Sequence, residues 1–406
     1  MTRSTWRRIR VADLVASGDA EVKTGPFGTQ LHASDYVESG TPVINVRNIG
    51  FGGIRANKLE YIADETVRRL SGHLLHPGDI VFGRKGAVER HVLIRNRQSK
   101  WFQGSDCLRL RLRTKRVLPQ FLSYYLLTRD HQTWMMQQCS HGATMASLNQ
   151  DIVGRIEFLA PDPAGQQAIA SILSAYDDLI ENNTRRIAIL EEMARRIYEE
   201  WFVHFRFPDH EGVRMVESEL GLMPEEWSVV RLDDVLVLQR GFDLPKQDRT
   251  EGPFPIISAT GASASHHEYK VKGPGVVTGR SGSLGTVMYV EGDFWPLNTT
   301  LWVKQFAVGS PLYAFYVLRS IDLIGFNSGA AVPTLNRNDV HGLPVVRPTP
   351  EVLAAFDDVV GPMIKLKRRL EVVNDNLRTT RDLLLPKLIS GELDISAMPE
   401  PEALAA

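Results

Sequence analysis

The sequence contains little cysteine and no long apolar run. Cys107 and Cys139 are the only cysteines among 406 residues, too few for a disulfide framework. No apolar segment approaches the roughly 18 residues that cross a bilayer. The basic N-terminus, MTRSTWRRIR, is not followed by the apolar core of a secretion signal. These absences predict a protein of the reducing cytoplasm that has no membrane partner.

The sequence also lacks the motifs that carry catalysis or hold a cofactor. It has no Walker-type GxxxxGK[ST], no GxGxxG that opens a helix, no GxSxG elbow and no Asn/Asp-Pro-Pro-Tyr loop of amino-methyltransferases. The histidines that suggest a metal, His73 with His76 and His266 with His267, have no second cluster at ligand spacing. We therefore predict a non-catalytic protein that holds no cofactor and no metal.

Positive charge is concentrated in one part of the chain. The whole sequence carries a net charge of −1. Residues 1–160 hold 23 Lys and Arg against 14 Asp and Glu, whereas residues 207–348 hold 12 against 16. Nucleic-acid binding concentrates charge in this way, because only the cations that reach phosphates release counterions. A solvated basic surface gives the same excess, and from the charge pattern alone we favour that interpretation.

An internal repeat indicates that the chain contains two copies of one unit. The segment that begins Trp6-Arg7-Arg8 is echoed at Trp227, and GRKG at 83–86 is echoed by GRSG at 279–282. Two similar domains are therefore expected, which agrees with the length of the chain. Further matches are Gly142-Ala143 with Gly329-Ala330, Leu148-Asn149 with Leu335-Asn336, and Pro161 with Pro348.

Each copy ends in a long helical pattern. Asp162-Pro163 and Thr349-Pro350 are typical of an N-cap followed by proline at the first helical position. The apolar residues that follow alternate at three and four, which predicts a coiled-coil seam on helices roughly 55 Å long. The predicted seam consists of Ile169, Ile172, Tyr176, Leu179, Asn183, Leu190, Met193 and Ile197, and of Phe356, Val360, Met363, Leu370, Val373, Leu377, Leu384 and Leu388.

The segments before the helices contain short β-branched runs punctuated by Gly, Pro and Asn. This pattern predicts mixed domains dominated by twisted sheet, and hence an α+β fold class. The predicted order is a first globular domain at 1–160, a central helix at 161–207, a second globular domain at 208–348, a distal helix at 349–392 and a tail at 393–406.

Two repeated turns carry candidate DNA-binding side chains. Arg84 with Lys85, and Arg280 with Ser281, lie on loops flanked by glycine. On such a loop the backbone can approach a phosphate, and arginine can reach a guanine edge with two hydrogen bonds. A hairpin with solvated charges gives the same pattern, and for the turns taken alone we favour that interpretation.

Several asparagines lie at the ends of predicted elements. Asn45, Arg47 and Asn48 end a strand, where they could read base edges, although capping or turn bonding explains them equally well. Asn149 and Asn336 precede the strand that leads into each long helix. We predict a local structural role for these last two residues.

The C-terminal sequence LLPKLISGELDIS at 384–396, preceded by Arg381-Asp382, resembles the signature of the DNA-specificity subunits of type I restriction-modification systems. The stretch from Gln166 to Phe205 is similar to the central helix of that family. Residues 25–49 and 78–86 look like parts of its target-recognition domain. The resemblance covers essentially the whole chain.

The resemblance implies two target-recognition domains, each reading one half of a bipartite double-stranded DNA sequence. Because the two loops differ, an asymmetric target is expected. It further implies an antiparallel pair of helices, modification subunits with an adenine methyltransferase site, and restriction subunits with ATP-driven translocation and cleavage. The positions expected to contact these partners are Leu190, Ile197, Leu370, Leu377 and Leu384.

Two alternatives belong to other classes of protein. A coiled-coil scaffold whose globular units bind protein predicts no salt-dependent affinity for DNA. A self-contained restriction and methylation enzyme requires the cofactor and nuclease motifs that are missing from this sequence.

Overall fold

The computed structural model describes residues 5–27, 30–139, 146–329 and 331–393. The chain divides into two compact units. Unit 1 comprises the residues up to 182 together with those from 374 onward, and unit 2 comprises residues 183–373. The repeat match at Gly142-Ala143, its counterpart Ala330 and the predicted tail beyond Leu393 lie outside the described residues.

Unit 1 is built on two sheets and a short strand pair. Its strands are β1 (Arg7–Arg10), β2 (Ala20–Thr24), β3 (Tyr36–Val37), β4 (Thr41–Ile44), β5 (Phe51–Gly52), β6 (Glu60–Ile62), β7 (Ile80–Gly83), β8 (His91–Leu93), β9 (Phe102–Gln103), β10 (Cys107–Leu112) and β11 (Glu157–Ala160). Its short helices are α1 (Val11–Ala16), α2 (Asp64–Arg69), α3 (Pro119–Leu126), α4 (Arg129–Cys139) and α5 (Gln150–Gly154). One sheet has the order β2-β10-β7-β8-β5, another has β3-β6-β4-β9, and β1 pairs with β11.

Strand β7 shows why this part of the sequence forms a buried strand. Successive side chains of a strand point to opposite faces, and here both faces are covered. Ile80 and Phe82 pack into the cluster that also contains Leu173 and Leu388 of the two long helices, whereas Val81 packs into a separate cluster on the other face. An uninterrupted apolar run is the pattern expected of such a strand.

Unit 2 begins within the first long helix, α6 (Pro163–Tyr198). Its strands are β12 (Met215–Ser218), β13 (Gly221–Pro224), β14 (Ser228–Arg231), β15 (Leu236–Arg240), β16 (Phe254–Ser258), β17 (Gly261–His266), β18 (Gly275–Gly279), β19 (Val287–Val290), β20 (Trp295–Pro296), β21 (Thr300–Phe306) and β22 (Pro344–Arg347). Its short helices are α7 (Leu232–Val235), α8 (Pro311–Ser320) and α9 (Arg337–His341), and the second long helix is α10 (Pro350–Ser390).

The sheets of unit 2 repeat those of unit 1. The order β15-β21-β18-β19 corresponds to β2-β10-β7-β8, and β17-β16-β20 corresponds to β6-β4-β9. In both units the last of these pairs is parallel, and the strand after the initial tryptophan pairs with the strand that leads into the long helix. The repeat predicted from the sequence is therefore confirmed.

Both long helices begin at the predicted prolines, Pro163 and Pro350, but α6 ends at Tyr198, before the predicted bound at 207. Asp162 caps α6, since its Oδ1 accepts a hydrogen bond from the N–H of Gly165 at 2.8 Å. A π-helical turn, Glu199–Val203, continues α6. Gly391 follows α10 with a φ of 72°, the left-handed conformation in which glycine commonly ends a helix.

The two helices pack antiparallel in each unit. In unit 1, Arg381 Nη1 lies 2.7 Å from Asp177 Oδ1, and Asn374 Nδ2 donates to the carbonyl oxygen of Ile180 at 3.4 Å. In unit 2, Lys367 Nζ lies 2.6 Å from Glu191 Oε1. As the residue number rises on one helix it falls on the other, which confirms the antiparallel coiled coil.

Part of the predicted seam is wrong. Leu179, Met193 and Val373 are 47%, 45% and 44% exposed, whereas Leu173 and Ala194 are completely buried. In unit 1 the charged Asp177, close to Leu179 in the sequence, faces the other helix. A search for apolar residues does not identify such a position. Burial and the Asp177 carboxylate also raise the pKa of Tyr124, whose hydroxyl donates to Asp177 Oδ2 at 2.7 Å. A polar cluster thus occupies a place in the interface that the pattern assigns to apolar side chains.

Candidate nucleic-acid interface

Three loops of unit 1 meet at one end of its five-stranded sheet. Strand β10 lies antiparallel between β2 and β7, so residues 25–27, 84–86 and 104–106 share an edge. The N–H of Gly25 donates to the carbonyl oxygen of Cys107 at 2.9 Å, and the N–H of Arg84 donates to that of Asp106 at 2.8 Å. We call these three loops the unit 1 loop cluster.

Backbone contacts fix this cluster tightly. The N–H of Gly86 donates to the carbonyl oxygen of Ala146 at 3.0 Å, and the N–H of Leu148 donates to that of Arg84 at 2.8 Å. Gly86 has a φ of 76°, which favours glycine. A Cβ atom on Gly25 would lie 2.0 Å from a backbone oxygen, so no larger residue fits there without a shift.

The side chains of the unit 1 loop cluster combine an aromatic ring with two cations. The Arg84 guanidinium carbon lies 5.8 Å from the centre of the Phe27 ring, and Phe27 is 56% exposed. Lys85 Nζ lies 3.5 Å from Asp106 Oδ1, and both side chains are more than half exposed. Among the described residues, no carboxylate lies within 4.0 Å of the Arg84 guanidinium. This arginine is therefore available to a phosphate or a base edge.

Unit 2 builds the same backbone arrangement at residues 241–243, 280–282 and 297–299. The N–H of Gly241 donates to the carbonyl oxygen of Thr300 at 3.0 Å, and the N–H of Arg280 donates to that of Thr299 at 2.8 Å. The N–H of Gly282 donates to the carbonyl oxygen of Pro333 at 2.9 Å. We call these three loops the unit 2 loop cluster.

The unit 2 loop cluster differs in its side chains. Arg280 Nη1 donates to the carbonyl oxygen of Asn298 at 3.1 Å, and Asn298 Nδ2 donates to Asp243. Arg240 Nη2 lies 3.3 Å from Asp243 Oδ1. Ser281 is partly buried beside these groups. The cluster is thus held by polar contacts of its own, without an exposed aromatic ring at the Gly241 turn.

The three candidates at the end of β4 have different surroundings. Asn48 is completely buried, and its Nδ2 donates to the carbonyl oxygens of Arg55 and Asn57 at 3.0 and 3.1 Å. Asn45 Nδ2 donates to Glu60 Oε2 at 2.6 Å. The exposed Arg47 lies 2.7 Å from Glu60 Oε1.

Turn bonding therefore accounts for the position of Asn48, and Arg47 is the most accessible of the three candidates. Asn149 and Asn336, in contrast, cap the short helices that follow them. Their Oδ1 atoms accept backbone hydrogen bonds at 2.9 and 3.1 Å, which is a local structural role.

Part of the basic excess in unit 1 is used inside the domain. Arg109 is 1% exposed and lies 3.1 Å from Glu21, and Arg111 lies 2.7 Å from Asp79. Burial lowers the pKa of Arg109, and the hydrogen bond to Asp79 raises that of Arg111. These cations stabilise strand β10 from within, so the charge total overstates the cations that can meet a phosphate.

The predicted partner-binding positions lie largely inside the helix pair. Leu370 is 8% exposed, and the others, Leu190, Ile197, Leu377 and Leu384, are partly buried. The same helices expose other apolar side chains. In unit 2, Val359, Leu366 and Val373 follow one another at seven-residue intervals on α10 and are 39%, 38% and 44% exposed, and Ile189 and Met193 on α6 are 58% and 45% exposed.

The part of the chain that the structure describes contains no group of three or more His, Cys, Asp and Glu residues placed to hold a metal ion. None of its helices is long and apolar enough to cross a membrane.

Phe27, Asp106 and Asp243 belong to the loop clusters, but the sequence patterns did not predict them as site residues. They come from segments distant in sequence from Arg84 and Arg280, and only the strand order brings them together. A signal was present, because a glycine directly follows the strand before each cluster, at Gly25 and Gly241.

Two copies of one sheet-and-loop unit, each with an arginine on its loop cluster, define a protein built from a duplicated domain. The family described as "Type I restriction modification DNA specificity domain" matches residues 31–192 and 224–350. The chain belongs to this family.

Related proteins agree with this assignment, and a solved structure shares the fold. The type I restriction enzyme MjaIX specificity subunit of Methanocaldococcus jannaschii is 26% identical over 312 residues, covering 70% of this chain and 71% of that protein. The HindI specificity subunit of Haemophilus influenzae is 26% identical over 166 residues, covering 40% of this chain and 36% of that protein. The crystal structure of an S subunit from M. genitalium shares the fold, with a TM-score of 0.65, 16% identity and coverage of 95% and 96% of the two chains.

Proposed function

We propose that this chain selects the DNA sequence on which a type I restriction-modification complex acts. Each unit reads one half of an asymmetric, bipartite, double-stranded target, and the chain itself performs no catalysis. Adenine methylation, ATP-driven translocation and cleavage belong to modification and restriction subunits. The observation that carries the proposal is the pair of equivalent loop clusters, each with an arginine at the same place in the backbone arrangement.

The chemistry of both clusters suits DNA. Arginine can bind a phosphate or make two hydrogen bonds to guanine, and backbone near glycine can approach the duplex closely. Arg84 has no carboxylate partner among the described residues, and Lys85 projects beside it. Because the two clusters differ at Lys85 and Ser281, the two half-sites are expected to differ.

Val359, Leu366 and Val373 form an exposed apolar stripe on α10. We assign this stripe as the surface that binds modification subunits. Leu370 at 8% exposure cannot reach a partner without unpacking the helix pair, whereas Leu366 and Val373 on the same helix are accessible. An apolar stripe at seven-residue spacing on a helix suits a partner helix that packs alongside it. This assignment moves the expected partner contacts from the seam to its exposed flank.

Methylation mapping tests the proposed function. The chain is co-expressed with its modification subunit in a bacterial host, and methylated adenines are located across the genome. We expect methylation at one bipartite, asymmetric motif, and none when the chain is omitted. Methylation that persists without the chain, or that follows an uninterrupted motif, would contradict the proposal.

Salt dependence separates the proposal from a protein-binding scaffold. The assembled complex is titrated onto duplex DNA at increasing salt, and the Arg84→Ala, Arg280→Ala double variant serves as the comparison. We expect affinity for the methylated motif to fall with salt, with a shallower slope in the variant, since phosphate contacts release counterions. Affinity that is independent of salt would favour a scaffold.

A further inference from the structure

The two loop clusters allow a residue-by-residue comparison inside one protein. In both units a glycine after the first strand of the sheet donates to the carbonyl oxygen of the residue that begins the second, Cys107 or Thr300. The backbone N–H groups of Arg84 and Arg280 donate to the carbonyl oxygens of the residues that precede these two, Asp106 and Thr299. These hydrogen bonds define equivalent positions without any assumption about sequence similarity.

Four pairs of positions follow from this correspondence. The arginines occupy one pair, and the residues after them, Lys85 and Ser281, occupy the second. The residues whose carbonyl oxygens accept from the arginines, Asp106 and Thr299, occupy the third. Counting two residues on from the glycines gives the fourth pair, Phe27 with Asp243.

The arginine is the same in both units, whereas the other three positions change chemical class. Phe27 is an exposed ring where Asp243 is a carboxylate with a 67% exposed side chain. Lys85 is a cation where Ser281 is a hydroxyl. Asp106 is a carboxylate with a 52% exposed side chain, and Thr299 has a buried hydroxyl with no hydrogen-bond partner among the described residues.

Such differences are those that distinguish bases in the major groove. An apolar ring can contact the thymine methyl group, a carboxylate accepts from the cytosine amino group, and lysine donates to guanine. A shared arginine gives both units the same contact, which suits positioning on the duplex rather than discrimination between sequences.

We propose that positions 27, 85 and 106 determine the base specificity of the half-site read by unit 1, and that positions 243 and 281 determine that of the half-site read by unit 2. Arg84 and Arg280 are positioning residues that hold the DNA in both half-sites. The inference rests on the proposed function, because it assigns the reading of bases to particular side chains of the loop clusters.

A graft between the clusters tests the inference. The Phe27→Asp, Lys85→Ser, Asp106→Thr variant gives unit 1 the side chains of unit 2, and is co-expressed with the modification subunit for methylation mapping. We expect the half-site of unit 1 to change at one or more base pairs, with discrimination there altered by roughly 5- to 100-fold. The half-site of unit 2 stays unchanged.

The control variant removes a cation that lies near the same sheet but outside the unit 1 loop cluster. Lys115 is exposed and follows the opposite end of strand β10, so Lys115→Ser should leave both half-sites as they are. If the triple variant melts at a lower temperature than the parent chain, the single variants Lys85→Ser and Phe27→Asp replace it in the methylation mapping. Each is expected to relax or change fewer base pairs.

Two outcomes distinguish this inference from the proposed function. If the parent chain directs methylation to a bipartite motif, and a folded triple variant directs it to the same motif equally well, the inference is overturned and the proposed function stands. If the folded variant has lost methylation, its complex is competed with duplexes varied at each base pair of the unit 1 half-site. Unaltered base preferences in that competition overturn the inference, and altered preferences at that half-site alone support it.

Discussion

Acidification should destabilise unit 1 through buried histidines that serve no evident part in DNA binding. His91 is 1% exposed, and its Nε2 lies 2.8 Å from Ser123 Oγ. Burial lowers the pKa of His91 to about 3 and, in the same core, that of His131 to about 4, from an ordinary value of 6.5. Both rings are therefore neutral in the folded protein at pH 5, whereas in the unfolded chain they are protonated.

The sign and size of the effect follow from these pKa values. Because the folded pKa lies below the unfolded one, the unfolded chain binds more protons, and stability falls as the pH drops below 6.5. At pH 5 each histidine lowers the free energy of unfolding by about 2 kcal/mol relative to neutral pH, or about 4 kcal/mol for the pair. That is a large fraction of the stability of an ordinary domain.

Urea unfolding followed by circular dichroism at pH 7, 6 and 5 measures this loss. His91→Gln should be less stable at pH 7, since it loses buried contacts, but its loss between pH 7 and pH 5 should be smaller by about 2 kcal/mol. His267→Gln is the control, because the His267 side chain is 51% exposed and lies outside unit 1. Equal losses in the parent chain and in His91→Gln would refute the reasoning.

Three further substitutions probe other parts of the structure. Arg84→Ala with Lys85→Ala should weaken DNA binding by the assembled complex and reduce its salt slope by at most about one per lost phosphate contact; unchanged binding would mean a solvated hairpin. Gly25→Ala places a Cβ atom 2.0 Å from a backbone oxygen and should lower the free energy of unfolding by about 1 to 3 kcal/mol in urea titrations. Arg381→Ala breaks a partly buried ion pair of 2.7 Å and should cost about 1 to 3 kcal/mol in the same assay.

Matched controls exist for the two stability predictions. A Cβ atom on Gly53 meets nothing within 4 Å, so Gly53→Ala should leave stability nearly unchanged. Arg378 pairs with Asp375 at 3.0 Å on the same helix as Arg381, but their side chains are 46% and 74% exposed. Arg378→Ala should therefore cost less than about 1 kcal/mol. If Gly53→Ala and Arg378→Ala lose as much stability as Gly25→Ala and Arg381→Ala, burial is not the cause of the losses.

The duplicated architecture could be predicted because its signals are local. Asp162 and Pro163 start one helix, and glycine at 391 ends the other, through contacts with immediate neighbours in the chain. The GRKG and GRSG turns likewise marked equivalent places in the two units. Such signals require no knowledge of which strands pair.

Contacts between segments that are distant in the chain could not be predicted from the sequence. Asp177 faces the helix interface because Arg381 and Tyr124 neutralise and hydrogen-bond it, and an apolar pattern cannot foresee that arrangement. Phe27 and Asp106 reach Arg84 and Lys85 only because β10 lies between β2 and β7. The candidate site was therefore found at its glycine-flanked arginines and missed at the side chains that complete it.

The most direct test of the central claim exchanges one recognition domain. Residues 1–160 are replaced by those of a relative with a different target, and the methylated motif is mapped in a host that expresses the modification subunit. If each unit reads one half-site, one half of the motif changes to that of the relative and the other half is retained. An active complex in which both halves change would contradict the account.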